Sequence, residues 1–274
     1  IAKNIFGLNV ASFEGTKNEN LSSYIGYKII TPTDEELAAF YQDLTVNRFD
    51  CKINEYVCLN DADGNTVDKL KWNGQQYVNI AYKKINNKFL GQIKPRNLQQ
   101  VLAFDMLQDK DSTIKCLTGR FGSGKSFLMV SNALDLIEKH QFDKIVFVRN
   151  NIEVKNTQPI GFLPGESIDK LLPWAAVLAD HCGGEIALKM LIEQGKIEIV
   201  HMGFIRGRDF KNSIIYCTEC ENMTKEHIQL LIGRVGENSQ LWLDGDYKQI
   251  DGQVFTNNNG LKQLINKLQG DSHF

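Results

Sequence analysis

The run Gly119-Arg120-Phe121-Gly122-Ser123-Gly124-Lys125-Ser126 constrains this chain more than any other stretch. It fits the spacing G-x-x-x-x-G-K-[ST] in full, which a random chain of this length matches roughly 1% of the time at average residue frequencies. Its surroundings fit as well, because the strand-like run Thr113–Leu117 precedes it and the helical pattern Ser126–His140 follows. Glycines free the backbone to turn its N–H groups inward around phosphates, and the N-terminus of the following helix adds positive potential. In such a cradle Lys125 reaches the β- and γ-phosphates of a nucleotide and Ser126 ligates Mg²⁺.

The rest of the C-terminal two thirds keeps the same rhythm. Strand candidates at Lys144–Val148, Lys196–Val200, Ser213–Cys217 and Gln240–Leu243 are interleaved with helical patterns at Glu185–Gln194, Thr224–Ile232 and Gly260–Leu268. Short apolar runs alternating with helices predict an α/β fold with a parallel sheet covered on both faces. Upstream the text changes. "EYVCLND", "TVDKLKW" and "QQYVNIAY" are separated by the turn dipeptides Asp63-Gly64 and Asn73-Gly74, which predicts a small antiparallel β meander. Before it, "PTDEELAAFYQDL" predicts a short helix capped by Thr33 with an acidic first turn. The expected division is a β-rich linker region over residues 1–93 and a nucleotide-binding domain over 94–274.

Composition excludes little beyond this. A net charge of −2 gives no global basic field, so nucleic-acid binding would need a local patch. The best candidate is Lys83, Lys84, Lys88, Lys94 and Arg96 with Tyr82 and Phe89 interleaved, although a solvated linker has the same composition. No apolar run approaches the roughly 18 residues needed to cross a bilayer. The six cysteines are scattered and suit buried thiols in a reducing cytoplasm. Cys217 and Cys220 have C-x-x-C spacing, but no second ligand pair accompanies them. The chain starts at Ile1 rather than Met, which reads as a fragment or a processed product, so a missing targeting signal weighs little.

A nucleotide hydrolase also needs acids at the ends of nearby strands, one to orient Mg²⁺ through its water shell and the next to polarise the attacking water. "SIIYCTECEN" is such a strand, ending in Thr218-Glu219. "QLWLDGDYKQID" ends at a turn holding Asp244, Asp246 and Gln249, where a polar group can sense the γ-phosphate.

Taken together, "TGRFGSGKS", "IGFLPGESIDKLLPW", "GFIRGRDF", "IIYCTECENMTKEHIQLLIGRVG" and "DGDYKQID" resemble the PhoH-like ATPases, P-loop proteins related to the superfamily-one helicases. The resemblance covers roughly Lys94 to Phe274 and implies a P-loop NTPase fold, RecA/helicase-like, with the final strand of the family missing. "NEYVCLNDADGNTVDKLKWNG" and "KPRNLQQ" look like the segment joining a PIN nuclease domain to the ATPase in PIN–PhoH proteins, and residues 1–15 look like the tail of such a PIN domain.

The resemblance further implies ATP and Mg²⁺ as ligands, RNA or single-stranded nucleic acid as partner, and a homo-oligomeric ring of six subunits completed at each site by a neighbour's arginine. By position Gln100 matches the adenine-recognising glutamine. Glu219 matches the catalytic acid, which also reaches Mg²⁺ through water. Asn222 matches the last residue of the family's Asp-Glu-Ala-Gln-Asn box, and Gln249 the γ-phosphate sensor. Arg206 and Arg208 match its "RGR", and Arg234 the arginine of its Thr-Arg-Ile-Gly motif. Arg149 fits on the weaker ground of ending a strand.

Four positions depart from the pattern: Thr218 stands for the box's Asp, Glu221 for its Gln, Gly233 for a Thr, and Arg120-Phe121 for Pro-Ala. The leading expectation is a divergent ATP-hydrolysing motor, with metal affinity and turnover lowered by Thr218. The alternative is a nucleotide-binding regulatory or assembly module with weak or no hydrolysis.

Overall fold

A computed structural model describes residues 24–87, 90–149 and 175–274. "KNIFGLNVASFE" and "IGFLPGESIDKLLPW" lie outside these residues, as do Lys88 and Phe89 of the basic stretch.

In chain order the first part holds β1 (Tyr27–Ile30), α1 (Asp34–Gln42), β2 (Tyr56–Asn60), β3 (Thr66–Trp72) and β4 (Tyr77–Asn79). The two turn dipeptides lie in the β2–β3 and β3–β4 turns, where Gly64 and Gly74 take φ of 83° and 96°, values that suit glycine. Thr33 caps α1 through a capping box with Glu36. The antiparallel meander β2–β3–β4 is as expected, but the sheet has the order β1-β2-β3-β4 with β1 added parallel to β2. That pairing joins segments separated by α1, and no turn signal announces it. Phe40 of α1 packs with Val57, Leu59, Leu70, Trp72 and Tyr77 into a separate aromatic core.

A hairpin of β5 (Ile85–Asn87) and β6 (Gly91–Ile93) leads into α2 (Leu98–Gln108). Then follow β7 (Ile114–Thr118), α3 (Lys125–Glu138), β8 (Lys144–Arg149), α4 (Ala176–Cys182), α5 (Glu185–Glu193), β9 (Ile197–His201), β10 (Ser213–Cys217), α6 (Lys225–Ile232), β11 (Gln240–Gly245), α7 (Gln253–Asn257) and α8 (Gly260–Leu268). The five strands form one parallel sheet in the order β7-β11-β10-β8-β9.

Period-two alternation decides which face each strand residue covers. Ile145, Phe147, Ile214, Tyr216 and Trp242 face one layer, packed with Leu128, Met129 and Ala133 of α3 and Leu178, Leu188 and Leu191 of α4 and α5. Val146, Val148, Ile215, Cys217, Leu241 and Leu243 face the other, with Ile228, Leu231, Leu261, Leu264 and Ile265 of α6 and α8. The result is the expected α/β sandwich with helices on both faces. The small sheet is tied to it by Tyr56, whose hydroxyl donates to Asp105 at 2.8 Å, and by an ion pair of Lys71 with Asp109 at 2.7 Å.

Candidate active site

Because β7 and β11 are neighbours, the glycine loop after β7 lies beside the turn after β11. Gly119 N–H donates to Gly245 O at 3.1 Å, and Phe121 N–H donates to the Asp246 carboxylate at 2.8 Å. A Cβ at Gly245 would stand 2.8 Å from Leu261 Cδ2 and 2.9 Å from the Glu221 carboxylate, so both side chains would have to shift. Gly124 adopts φ 85° at the start of α3, a left-handed conformation that glycine enters without a Cβ penalty. Lys125 arches over the loop, its Nζ donating to Gly119 O at 2.7 Å and Arg120 O at 3.0 Å. Gln100 of α2 is at the loop's edge: Arg96 N–H donates to its Oε1, and its Nε2 lies 3.5 Å from Ser123 O.

One cleft gathers the loop residues Phe121, Gly122, Gly124, Lys125 and Ser126 with Thr218, Glu219, Glu221, Asp244, Asp246 and Gln249. Glu219 is exposed to it and takes φ 57°, an uncommon conformation for a residue with a Cβ and one that recurs at functional sites. Gln249 lines the same cleft and is exposed, in a turn held by Asn222. Asn222 Nδ2 donates to Gln249 O at 3.5 Å, and its Oδ1 accepts from Asp251 N–H at 2.8 Å.

Asp244, which the sequence groups with Asp246 and Gln249 at the end of a strand, is the most connected carboxylate in the cleft. Its Oδ2 accepts from the Ser126 hydroxyl and from the Tyr216 hydroxyl, each at 2.9 Å, and its Oδ1 from Glu219 N–H at 3.3 Å. The Thr218 hydroxyl also bonds it. Burial pushes its carboxyl up, and those hydroxyl bonds and Lys125 act against that rise. Glu221 is likewise buried, with its carboxyl pushed up to about 6 by desolvation, and it accepts from Asp246 N–H at 3.0 Å. His181 of α4 lines the same cleft against Phe127, with its imidazole pulled down by burial. No motif marks His181, and only the packing of α4 on α3 brings it there.

The arginines are elsewhere. Arg208 and Arg234 line an open pocket with residues that immediately precede β7, β8, β10 and β11, which is the opposite rim of the sheet. Arg208 pairs with Glu198 at 2.6 Å and stacks over Phe210, and Arg234 Nη1 donates to Arg208 O at 3.0 Å. Arg206 is exposed on the segment that returns from β9 to β10, and Arg149 ends β8. Cys217 and Cys220 are buried free thiols on different elements, so their spacing reflects packing. Of the basic stretch, Lys83, Lys84, Lys94 and Arg96 are exposed, but Tyr82 packs edge-on against Phe104.

The donor chemistry of the cleft suits a hard divalent cation. The hydroxyls of Ser126 and Thr218 and the carboxylate of Asp244 are all oxygen donors. Among the described residues no cluster of three or more His, Cys, Asp or Glu side chains could cage a metal alone. Magnesium binds through one or two protein groups plus phosphates and water, and Ser126 and Asp244 are groups of that kind. Among the described residues, too, no helix is long and apolar enough to cross a membrane.

Comparison with known proteins agrees with this geometry. The family model described as PhoH-like protein matches residues 92–274. Protein PhoH2 of Bacillus subtilis is 27% identical over 267 residues, covering 92% of this chain and 60% of the relative. Protein PhoH2 of Thermobispora bispora is 28% identical over 186 residues, covering 66% of this chain and 42% of the relative. Protein PhoH of Escherichia coli is 30% identical over 139 residues, covering 49% and 39%. The chain therefore spans 60% or less of the length of these relatives. With a family match over two thirds of its length, on a five-stranded parallel sheet bearing a complete phosphate loop, this chain belongs to the PhoH-like family and carries that family's ATPase-type P-loop domain.

Proposed function

We propose that this domain hydrolyses ATP with Mg²⁺ and uses the cycle to move along RNA or single-stranded DNA, as a cytoplasmic helicase or translocase partnered with a PIN ribonuclease domain. The observation that carries this reading is the convergence of Lys125, Ser126, Glu219 and Gln249 on one cleft. Lys125 is placed to meet the β- and γ-phosphates, and the backbone N–H groups of the loop cradle them. Glu219 orients and deprotonates the attacking water, and Gln249, which lines the same cleft, reads the γ-phosphate. Magnesium, when bound, neutralises charge on the phosphates, and Ser126 supplies its oxygen ligand from the protein. Gln100, beside the loop, offers an amide that pairs with adenine.

The position of the arginines supports a ring. The sheet separates Arg208 and Arg234 from the cleft of their own chain, so either one would stabilise charge on the phosphates of a neighbouring subunit, and six subunits is the arrangement we favour. Exposed Lys83, Lys84, Lys94 and Arg96 supply a strip for nucleic-acid phosphates.

The test is Mg-ATP hydrolysis by the purified full-length protein, with and without single-stranded RNA, beside Lys125→Ala and Glu219→Gln. RNA-stimulated turnover lost in both variants is the expected result. Tight ATP binding with no turnover in the assembled protein overturns the motor in favour of a regulatory module.

A further inference from the structure

In the family pattern the acid that steadies the metal ends the strand occupied here by β10, where this chain has Thr218. A hydroxyl at that place carries no charge, and the motif read alone describes a weakened site. The three-dimensional arrangement is different. β11 lies between β7 and β10, so a side chain at its C-terminal end is one strand, about 4.8 Å, nearer to the phosphate loop. Asp244 is that side chain, and it accepts a hydrogen bond from Ser126, the residue that ends the motif, at 2.9 Å.

We propose that Asp244 is the carboxylate of the metal site, and that Thr218 and Asp244 together replace the missing acid: the charge has moved to the neighbouring strand and the hydroxyl that remains on β10 helps to orient it. This rests on the proposed use of a metal–nucleotide complex and deepens it.

Two features carry the assignment. The first is directional. Ser126 spends its single hydroxyl proton on Asp244, so its oxygen lone pairs are left for a cation. A carboxylate that fixes the serine in this way holds it in the one orientation useful for ligation. The second is energetic. Asp244 is 1% exposed, and its bonding partners are the hydroxyls of Ser126, Tyr216 and Thr218 and one peptide N–H. Lys125 acts on it, but that ammonium is committed to Gly119 O and Arg120 O. A buried carboxylate is costly without a counter-charge. A divalent cation beside Ser126 supplies one, within reach of Asp244 directly or through a water.

The experiment measures metal binding as well as turnover. A fluorescent ADP analogue is titrated into the full chain in EDTA, in Mg²⁺ and in Mn²⁺, and the paramagnetic resonance of Mn²⁺ reports its own occupancy. Wild type, Thr218→Asp, Asp244→Thr and the double variant Thr218→Asp/Asp244→Thr are compared. Asp244→Thr is expected to keep its nucleotide affinity in EDTA while losing about tenfold or more of the affinity gained on adding metal. The double variant, which restores the acid to β10, is expected to recover most of that gain. Thr218→Asp alone gains nothing, because a second carboxylate beside Asp244 repels the first. Full retention of the metal-dependent gain in Asp244→Thr overturns the assignment, as does a rise in that gain in Thr218→Asp. If Asp244→Thr fails to fold, Asp244→Asn preserves the shape and the acceptor oxygen and is read in the same way. A wild-type chain that binds no nucleotide in either condition overturns the underlying reading of the cleft, and this assignment falls with it.

Discussion

The two rims of the five-stranded sheet are built from the same strands and do different work. At the carboxyl rim β7, β10 and β11 end in the glycine loop, Thr218-Glu219 and Asp244–Asp246, and their polar groups converge on one cleft. At the amino rim the segments entering β7, β8, β10 and β11 surround an open pocket with Arg208 and Arg234 on its wall. Ligands of open parallel sheets bind at the carboxyl ends of the strands, where loops are free of register and helix N-termini point inward. The amino rim instead carries Arg208 and Arg234, whereas among the described residues Lys125 is the cation lining the cleft. Five residues of strand put roughly 16 Å between the rims, which keeps Arg208 and Arg234 away from the cleft of their own chain.

The largest test of that division is a pair of inactive variants. Among Arg206, Arg208 and Arg234, the arginine that serves a neighbour is expected to cost on the order of 10³-fold in turnover when changed to Ala, with nucleotide affinity unchanged. Mixing that variant with Lys125→Ala should restore part of the activity, because one subunit supplies the loop and the other the arginine. A mixture as inactive as its parts breaks the trans arrangement. Lys125→Ala by itself should lower turnover by about 10²–10³-fold and weaken nucleotide binding as well, as measured by steady-state hydrolysis and titration.

A smaller effect isolates the carboxyl rim by pH. Glu221 is buried with its carboxyl pushed from the ordinary 4.5 up to about 6. The neutral acid is favoured in the fold, so stability is fully present below about 4.5 and is lost as pH rises through about 6. Glu221→Gln removes that loss while keeping an acceptor for Asp246 N–H. In urea melts it should be more stable than wild type by up to roughly 2 kcal/mol at pH 8, with little difference at pH 4. Equal gains at both values would mean that packing, not ionisation, is responsible. The smallest effect is a control outside both rims. Thr33→Ala removes the cap of α1 and should cost about 1 kcal/mol of stability in the small sheet, with turnover unaltered.

Much of this molecule is legible along the chain. Ser213–Cys217 and Gly260–Leu268 coincide with β10 and α8, and the other strand and helix expectations in the large sheet differ by a residue or two at their ends. The reason is local: alternation, apolar period and glycine spacing are encoded within a few residues of where they act. The parallel addition of β1, the packing of Tyr82 and the approach of His181 are not legible, because each depends on a partner distant in sequence.

Sequence alone determined that a phosphate cradle exists here, that it sits between a strand and a helix, and that Glu219 follows a strand end while the metal-steadying acid is absent from Thr218. Only the tertiary structure decided which side chains gather in the cleft with Thr218, and that Arg208 and Arg234 lie at the other rim. Strand order puts β11 between β7 and β10, so Asp244 reaches Ser126 across 118 residues of chain. A motif records side chains in chain order, whereas a charge acts through distance in space, and in a parallel sheet the two orders differ.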